Sequence, residues 1–503
     1  MENQKSDKSF RPVDFTEIIK MYVCGPTVYS DSHLGHARTY MIVDLINRVM
    51  TNLLNKKTFL VMNITDIDDK IIKKAAESNT DWMVVAKTYE KSFFDSMSKL
   101  NIKLPDTIIH VSDVLDKITE YIQKIIDNGF AYVTSDGSVY FDTDAYVKEG
   151  YYFAGLVDDD ESAYQSELPK TLLQQKRNKI DFALWKGRLV SEIGFNAEFS
   201  FGGQVIKSWG RPGWHIECST MIHQTIGQDL DIHFGGIDLK FPHHHNERLQ
   251  AHAYYHPKFK PDTNNSTQYV EWSNNFHHVG HLCIKGLKMS KSLKNFTTID
   301  EALKYITTNQ LRWLFILHKW TDQMDFDDNT MEQAKNFDVM ITNFFNRIVN
   351  YPFDKKNVTY KETEFGLLGL FEKNKNKIVS ELSVFNFDSI TSLLAELIGK
   401  TNAYIDIGNA NESLVRKIYD WLQNLTNILG FVYQTSTSTS VSDIMNVLIE
   451  TRNSIRSLTR EKGLDIGIKK KLFEILDTER NLKLPEIGIV LQDTKESSSW
   501  FQN

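Results

Sequence analysis

An alternation of apolar period near the start of the chain constrains its fold more than any other feature. Ile18 to Val23 is a short apolar run of the kind that makes a buried strand, cut off by the turn signal Cys24-Gly25-Pro26. Ala37, Met41, Leu45 and Val49 then recur every fourth residue, placing one apolar stripe along a helix. A second strand-like run, Thr58 to Asn63, leads into Asp66-Ile67-Asp68-Asp69 and a helical segment beginning at Lys70, with acids at its start. Strand, helix, strand, helix predicts an α/β fold built on a parallel, Rossmann-type sheet.

From about His110 to Arg211 the pattern changes: a helix over Val114 to Asp127, a hairpin over Ala131 to Phe141 and an acidic loop at Asp158-Asp159-Asp160-Glu161 read as an insertion. The α/β pattern then resumes, with a helix over Trp214 to Ile226, a strand over Leu230 to Phe234, a helix over His243 to Tyr255 and a strand over Phe276 to Ile284. Beyond Lys294 the chain is mostly helical to about Tyr433, and TSTSTSVS (Thr435 to Ser442) reads as a flexible linker. The expected division is 1–110 and 211–285 for the two halves of the α/β domain, 111–210 for the insertion, 286–330 for a loop region, 331–434 for a helical bundle and 435–503 for linker and terminal module.

At 503 residues one hydrophobic core is too few. No apolar run approaches the roughly 20 residues that span a bilayer, and MENQKSDKSF has neither the apolar core of a secretory signal nor an Arg-rich amphipathic pattern, so the expected compartment is the cytoplasm. A net charge of −7 argues against indiscriminate coating of nucleic acid while leaving room for local basic patches. Only three cysteines occur, so no disulfide framework is expected and each needs its own account.

His33-Leu34-Gly35-His36 follows a strand and opens a helix, where backbone N–H groups favour anions and two imidazoles can reach a nucleotide's phosphates. Lys288-Met289-Ser290-Lys291-Ser292 puts two lysines on a polar loop, able to neutralise charge on departing phosphates or merely to be solvated. Further on, His243 and Glu247 stand four apart and project from one helical face. With Cys24 and Cys218 they would make a Cys2HisGlu set suited to zinc, although each cysteine alone reads more readily as a small buried hydrophobe. His233, His244 and His245 read as capping or exposed polar contacts, and Cys283 as core.

Taken together, YVCGPTVYSDSHLGHART, NITDIDDKIIKKA, DFALWK, RPGWHIECS, FPHHHNE and KMSKSLKNF resemble, in family order, the cysteinyl-tRNA synthetases, which are class I aminoacyl-tRNA synthetases. Their wording leans toward the eukaryotic cytosolic branch. The resemblance implies zinc ligands at Cys24, Cys218, His243 and Glu247, and an ATP site at His33, Gly35, His36, Lys288, Ser290 and Lys291, with His33, His36, Lys288 and Lys291 catalytic. It implies an amino-acid pocket involving Gly25, Thr27, Thr65, Trp214, His233 and Asp238. Two departures stand out: His245 occupies a usually acidic position, and Phe234 replaces a glycine, which predicts a bulky side chain beside the pocket.

The implied partners are ATP with Mg²⁺, L-cysteine and tRNA(Cys), acting on a monomer or homodimer with no membrane involved. The terminal module would read the anticodon, with Arg452, Arg456, Arg460, Lys462 and Lys469 to Lys471 as a local basic surface. Two other readings stay open: an ATP-dependent ligase passing cysteine to a small amine, and a non-catalytic, synthetase-like tRNA-binding protein.

Overall fold

The computed structural model describes residues 18–151, 153, 156, 175–188, 192–256, 272–284, 286–288, 296–433, 441–460, 464–486, 489–493 and 498–502. The run before Cys24 forms β1 (Ile19–Val23), followed by α1 (Leu34–Arg48), β2 (Thr58–Ile64), α2 (Asp69–Ser78), α3 (Trp82–Lys99) and β3 (Thr107–His110). Next come α4 (Leu115–Asp127), β4 (Ala131–Val133), β5 (Val139–Phe141), α5 (Thr143–Lys148), β6 (Ala183–Gly187), β7 (Phe195–Phe201) and β8 (Gln204–Pro212). The chain then returns through α6 (Trp214–Thr225), β9 (Leu230–Gly236), α7 (His245–Tyr254) and β10 (Ser273–Val279).

The first sheet is wholly parallel, in the order β10-β9-β1-β2-β3. The chain starts at its centre, winds outward through β2 and β3, and comes back on the other side of β1. The β1/β9 junction is therefore the topological switch point, and in open α/β sheets ligands lie outside the C-terminal strand ends at such a point. The segment between β3 and β9 carries its own antiparallel sheet, ordered β4-β5-β6-β8-β7.

Strand pleating sorts side chains to two faces. Met21, Val23, Met62, Ile232 and Phe234 join the core beneath α1, while Tyr22, Cys24 and Val61 join the core that holds Ile216, Cys218 and Leu249 of α6 and α7. Phe234 is wholly buried on the α1 side and stacks on His277, with ring centroids 5.5 Å apart. The expected bulky neighbour of the pocket is thus corrected: neighbouring residues on a strand point to opposite faces, and Phe234 points away.

Two element boundaries also differ from the sequence pattern. The strand expected over Phe276 to Ile284 is two strands, because β10 stops where Gly280 donates its N–H to Trp320 (2.9 Å) and packs against Asp322, whose carbonyl oxygen a Cβ would meet at 2.1 Å. Leu282–Ile284 (β11) instead joins a small sheet with β12 (Leu287–Lys288) and β13 (Met324–Asp325), around α8 (Ile299–Ala302) and α9 (Thr308–Ile316). The helix expected from His243 becomes regular only at His245, after a wide π-type turn over Lys240–His244 in which Phe241 keeps strand-like dihedrals.

Four long helices follow, α10 (Asp328–Asn350), α11 (Glu362–Ser383), α12 (Ser389–Asp406) and α13 (Glu412–Ile428), and their apolar stripes continue the core under α1. A buried charge cluster ties this bundle to the α/β domain. Asp44 on α1 accepts from Arg48 (2.8 Å) and Arg312 (2.9 Å), whose Nη groups also donate to the carbonyls of Leu100, Asn101 and Leu429.

Residues 434–503 form a separate unit, with α14 (Val441–Arg460), α15 (Ile466–Thr478) and an antiparallel pair of β14 (Ile489–Asp493) and β15 (Ser498–Gln502). Arg452 leaves the expected basic surface: it is buried and donates to the Leu476 carbonyl at 2.8 Å. Lys462, the 158–161 loop and most of the TSTSTSVS segment lie outside the described residues. No helix among the described residues is long and apolar enough to cross a membrane.

Removing one partner of a buried ion pair strands the other charge, at a cost of about 3–5 kcal/mol. Asp44→Ala strands two guanidinium groups and is expected to lose about that much stability, whereas Asp44→Asn, which still accepts hydrogen bonds, loses less; urea unfolding of the full chain followed by tryptophan fluorescence measures both.

Candidate active site

Cys24 directly follows β1 at the switch point, its N–H donating to the Phe234 carbonyl of β9 at 3.1 Å. Cys218 lies one turn into α6, which begins directly after Gly213, where a Cβ would stand 2.0 Å from the Ala183 carbonyl oxygen. His243 and Glu247 enter from the turn and first residues of α7. Cys24 Sγ lies 3.9 Å from Cys218 Sγ and 3.9 Å from Glu247 Oε1, and His243 Nε2 lies 2.9 Å from that same oxygen. One ligand atom from each of the four falls within 4.8 Å of the other three, and all four residues are buried.

Two thiols, an imidazole and a carboxylate converging at this spacing suit a tetrahedral, borderline-soft metal ion. The surroundings fit as well. Metal-binding imidazoles and carboxylates are ordinarily oriented through their other atom, and here His243 Nδ1 meets His215 Nδ1 at 2.9 Å while Glu247 Oε2 meets His233 Nε2 at 2.7 Å. Burial alone would raise the carboxyl pKa of Glu247, but the His233 and His243 rings overcome it and hold the value at about 2. Burial likewise opposes ionisation of Cys218, yet hydrogen bonding from Cys24 and the nearby His243 bring its thiol down to about 6, while burial pushes Cys24 up.

The structure also brings in histidines that the sequence pattern assigned elsewhere. His244 and His245 are fully buried rather than capping or exposed, as is His233, because α7 is enclosed on every side. His244 Nε2 approaches Cys24 Sγ at 3.4 Å, and its Nδ1 meets His278 of β10 at 2.9 Å. Cys24, His233, His244 and Glu247 thus make a second, overlapping group of converging ligand atoms. His245 sits edge-on to Phe153 and beside Phe241, burial lowering its pKa to about 3. Three consecutive histidines were the available signal, but a period-four argument selects His243 alone, and His215 and His278 reach the cluster only through tertiary folding.

A cavity of about 440 Å³ opens beside this cluster, with Cys24, Gly25, Thr27, Trp214 and Asp238 in its wall together with His33, Gly35 and His36. The His33 side chain accepts from Gly35 N–H at 3.1 Å, and His36 Nδ1 accepts from His33 N–H at 3.2 Å, closing a reciprocal cap on α1. With each Nδ1 accepting, the proton of each neutral ring sits on Nε2, which makes both rings donors. Trp214 stacks on His243, ring centroids 4.3 Å apart. Thr65 and His233 stand behind the wall: Thr65 is bridged to Thr27 and accepts from Asn63, and His233 holds Glu247. Lys288 pairs through its backbone with Cys283, whereas Ser290 and Lys291 lie outside the described residues.

Residues 10–336 match the model of the class I (C) tRNA synthetase catalytic domain. The chain is 53% identical over 490 residues to the cysteine–tRNA ligase of Acanthamoeba polyphaga mimivirus, covering 97% of this chain and 96% of that one. It belongs to the cysteine–tRNA ligase family. The cysteine–tRNA ligase of Encephalitozoon cuniculi is 36% identical, over 95% of this chain and 94% of its own. In fold, the chain resembles the methionyl-tRNA synthetase of Mycobacterium tuberculosis solved with methionyl-adenylate, with a TM-score of 0.53 at 14% identity over 82% of this chain and 90% of that one. The family model and this likeness agree on a class I synthetase fold.

Gly35 leaves the space that His33 needs to cap α1, since a Cβ there would meet His33 Cε1 and Nδ1 at 2.9 Å. Loss of an N-cap costs about 0.5–2 kcal/mol. Gly35→Ala is expected to lower stability within that range and to shift the His33 and His36 ring resonances together, which urea unfolding and NMR would show.

Proposed function

We propose that this chain is a zinc-dependent cysteine–tRNA ligase: it activates L-cysteine with ATP and transfers it to the 3′ end of tRNA(Cys). The observation that carries this reading is the convergence of Cys24, Cys218, His243 and Glu247 on one point in the wall of a cavity that also holds His33 and His36. Bound there, zinc would supply a soft Lewis acid that takes a thiolate far more readily than a hydroxyl, separating cysteine from serine by coordination chemistry.

The side chains around that point have distinct tasks. His233 and His215 hold Glu247 and His243 in place, and Trp214 closes the amino-acid end of the cavity. With the thiol end fixed, the cysteine carboxylate is aimed at the α-phosphorus of ATP, which enters with Mg²⁺. The carboxylate oxygen forms a bond to that phosphorus, the α–β bridging bond breaks, and pyrophosphate leaves. His33 and His36 donate from Nε2 to the phosphates, and Lys288, Ser290 and Lys291 neutralise charge on the departing group. The 2′-hydroxyl of the tRNA's terminal adenosine then attacks the adenylate's carbonyl carbon and expels AMP. In this reading Gly25, Thr27 and Asp238 line the amino-acid pocket, with Thr65 behind them.

The antiparallel sheet of the 111–210 insertion serves the acceptor-stem side, 286–330 carries the signature loop, the 331–434 bundle spans toward the anticodon arm, and the 435–503 unit reads the anticodon. With three free cysteines and no disulfide, the reducing cytoplasm is the fitting compartment.

Cysteine-dependent ATP–pyrophosphate exchange followed by aminoacylation of total tRNA tests the reading. Both activities are expected. Exchange without tRNA charging would instead identify a ligase acting on a small amine, and absence of both would leave a tRNA-binding protein. Cys218→Ala should lose bound zinc by elemental analysis and narrow the cysteine-over-serine preference in exchange by at least about tenfold; full metal content with unchanged preference removes Cys218 from the ligand set.

A further inference from the structure

Arg38 lies two residues beyond the HLGH motif, on the first turns of α1, and is 1% exposed. A cation buried so deeply is ordinarily matched by a carboxylate, as Arg48 and Arg312 are by Asp44. The hydrogen bonds of Arg38 all go to backbone carbonyls instead. Nη1 donates to Gly280 (2.9 Å) and His281 (2.8 Å), and Nη2 to Asp322 (2.8 Å) and Lys319 (3.3 Å). Its Nε, also buried, has no hydrogen-bond partner among the described residues. The buried Arg312 likewise leaves Nε unpaired among them but keeps a carboxylate, so it is the missing counter-ion that departs from ordinary stability rules here, and such departures cluster where function needs them.

The four carbonyls are not scattered. Gly280 and His281 line the cavity beside Val279 and Leu282. The Gly280 N–H is taken by Trp320, and the space for a Cβ at 280 is filled by Asp322, so this peptide has no freedom to shift once its carbonyl is held. The His281 carbonyl also accepts from Met324 N–H at 3.0 Å, at the root of the β11/β12 hairpin that ends in Lys288. One guanidinium therefore joins the helix of the first ATP motif, the cavity wall opposite it and the hairpin leading to the second.

We infer that Arg38 is the positioning residue for the nucleotide half of the cavity, fixing the Gly280–His281 peptides and the hairpin root relative to His33 and His36. The inference rests on the ATP-dependent reading above and adds to it a residue that touches no substrate. Cysteine is held from the other end, by the cluster around Cys24 and by Trp214, so loss of Arg38 falls on ATP and spares the amino acid.

The experiment uses full-length wild-type protein, Arg38→Lys, Arg38→Ala and, as a purely structural comparator, Arg48→Lys. ATP–pyrophosphate exchange is measured with ATP and cysteine varied separately, beside zinc content and thermal unfolding. Misplacement by about an ångström costs on the order of 10–100-fold. Arg38→Lys, which keeps the charge but not the fork, is expected to raise the ATP KM within that range and leave the cysteine KM within about twofold. Added guanidinium ion should partly restore Arg38→Ala, and Arg48→Lys should lower the unfolding temperature without moving the ATP KM. An unchanged ATP KM in Arg38→Lys overturns the inference, as does a matching rise in the cysteine KM with loss of zinc. A wild-type protein without cysteine-dependent exchange defeats the functional reading itself, and does so before any variant is compared.

Discussion

The place where β1 stops governs the whole site. The residue pair just beyond it is held from three directions: Cys24 N–H on Phe234, the Cys24 carbonyl on Tyr40 Oη at 3.1 Å, and Gly25 N–H on Asn63 Oδ1 at 2.8 Å. Gly25 has no room for a side chain, since a Cβ would lie 1.6 Å from the Asn63 carbonyl oxygen. The strand end cannot rotate, so pleating sends the Cys24 thiol to the face covered by α6 and α7 while the residue still borders the cavity. One residue thereby belongs both to the converging ligand group and to the cavity wall, and the two are neighbours by construction.

This placement is expensive. From His243 to Ala253 every residue of the α7 segment is buried, including four histidines, a glutamate, an arginine and a glutamine. Polar groups withdrawn from water cost several kcal/mol each unless they are matched, and here the matching is partial: Gln250 accepts from Ser219 at 2.6 Å and His252 meets Tyr146 Oη at 2.9 Å, while Asn246 Oδ1 and Gln250 Nε2 find no hydrogen-bond partner among the described residues. An apolar helix of the same size would hold the fold together with less to satisfy. A buried polar network earns its retention through what it can bind, and it also fixes side-chain directions more tightly than packing alone.

How much of this could be read beforehand follows from the range of each interaction. The period-two and period-four patterns are local, so the parallel sheet, its helices and the HLGH cap were legible, and Cys24, Cys218, His243 and Glu247 could be grouped because two of them share a helical face, Cys24 follows a strand and Cys218 lies in the helix after a turn signal. Failures came where a distant contact decides. Gly280 ends β10 because of Asp322, forty-two positions away, and Phe234 looked like a pocket obstruction because pleat direction depends on which face is already occupied. His215, His244 and His278 enter the site only after β9, β10 and α7 are assembled. Arg452 reads as a surface cation by composition and becomes a tie inside its own small unit.

The position of Trp214 bears on how one cavity separates amino acids that differ in two ways. Its ring lines the cavity and at the same time stacks on His243, so the cavity wall and an imidazole of the ligand group are in direct contact. A pocket wall distinguishes shapes by only a few kcal/mol, and least well when one atom is exchanged for another of similar size. Ligand atoms distinguish those same atoms by softness and acidity but say little about bulk. Because Gly213 starts α6 immediately before Trp214 and Cys218 follows one turn later, a single helix places a ring of the cavity wall and a thiol of the ligand group side by side. Neither test alone would separate cysteine from both its larger and its nearly isosteric competitors, which is why the proposed reading needs both on one side chain.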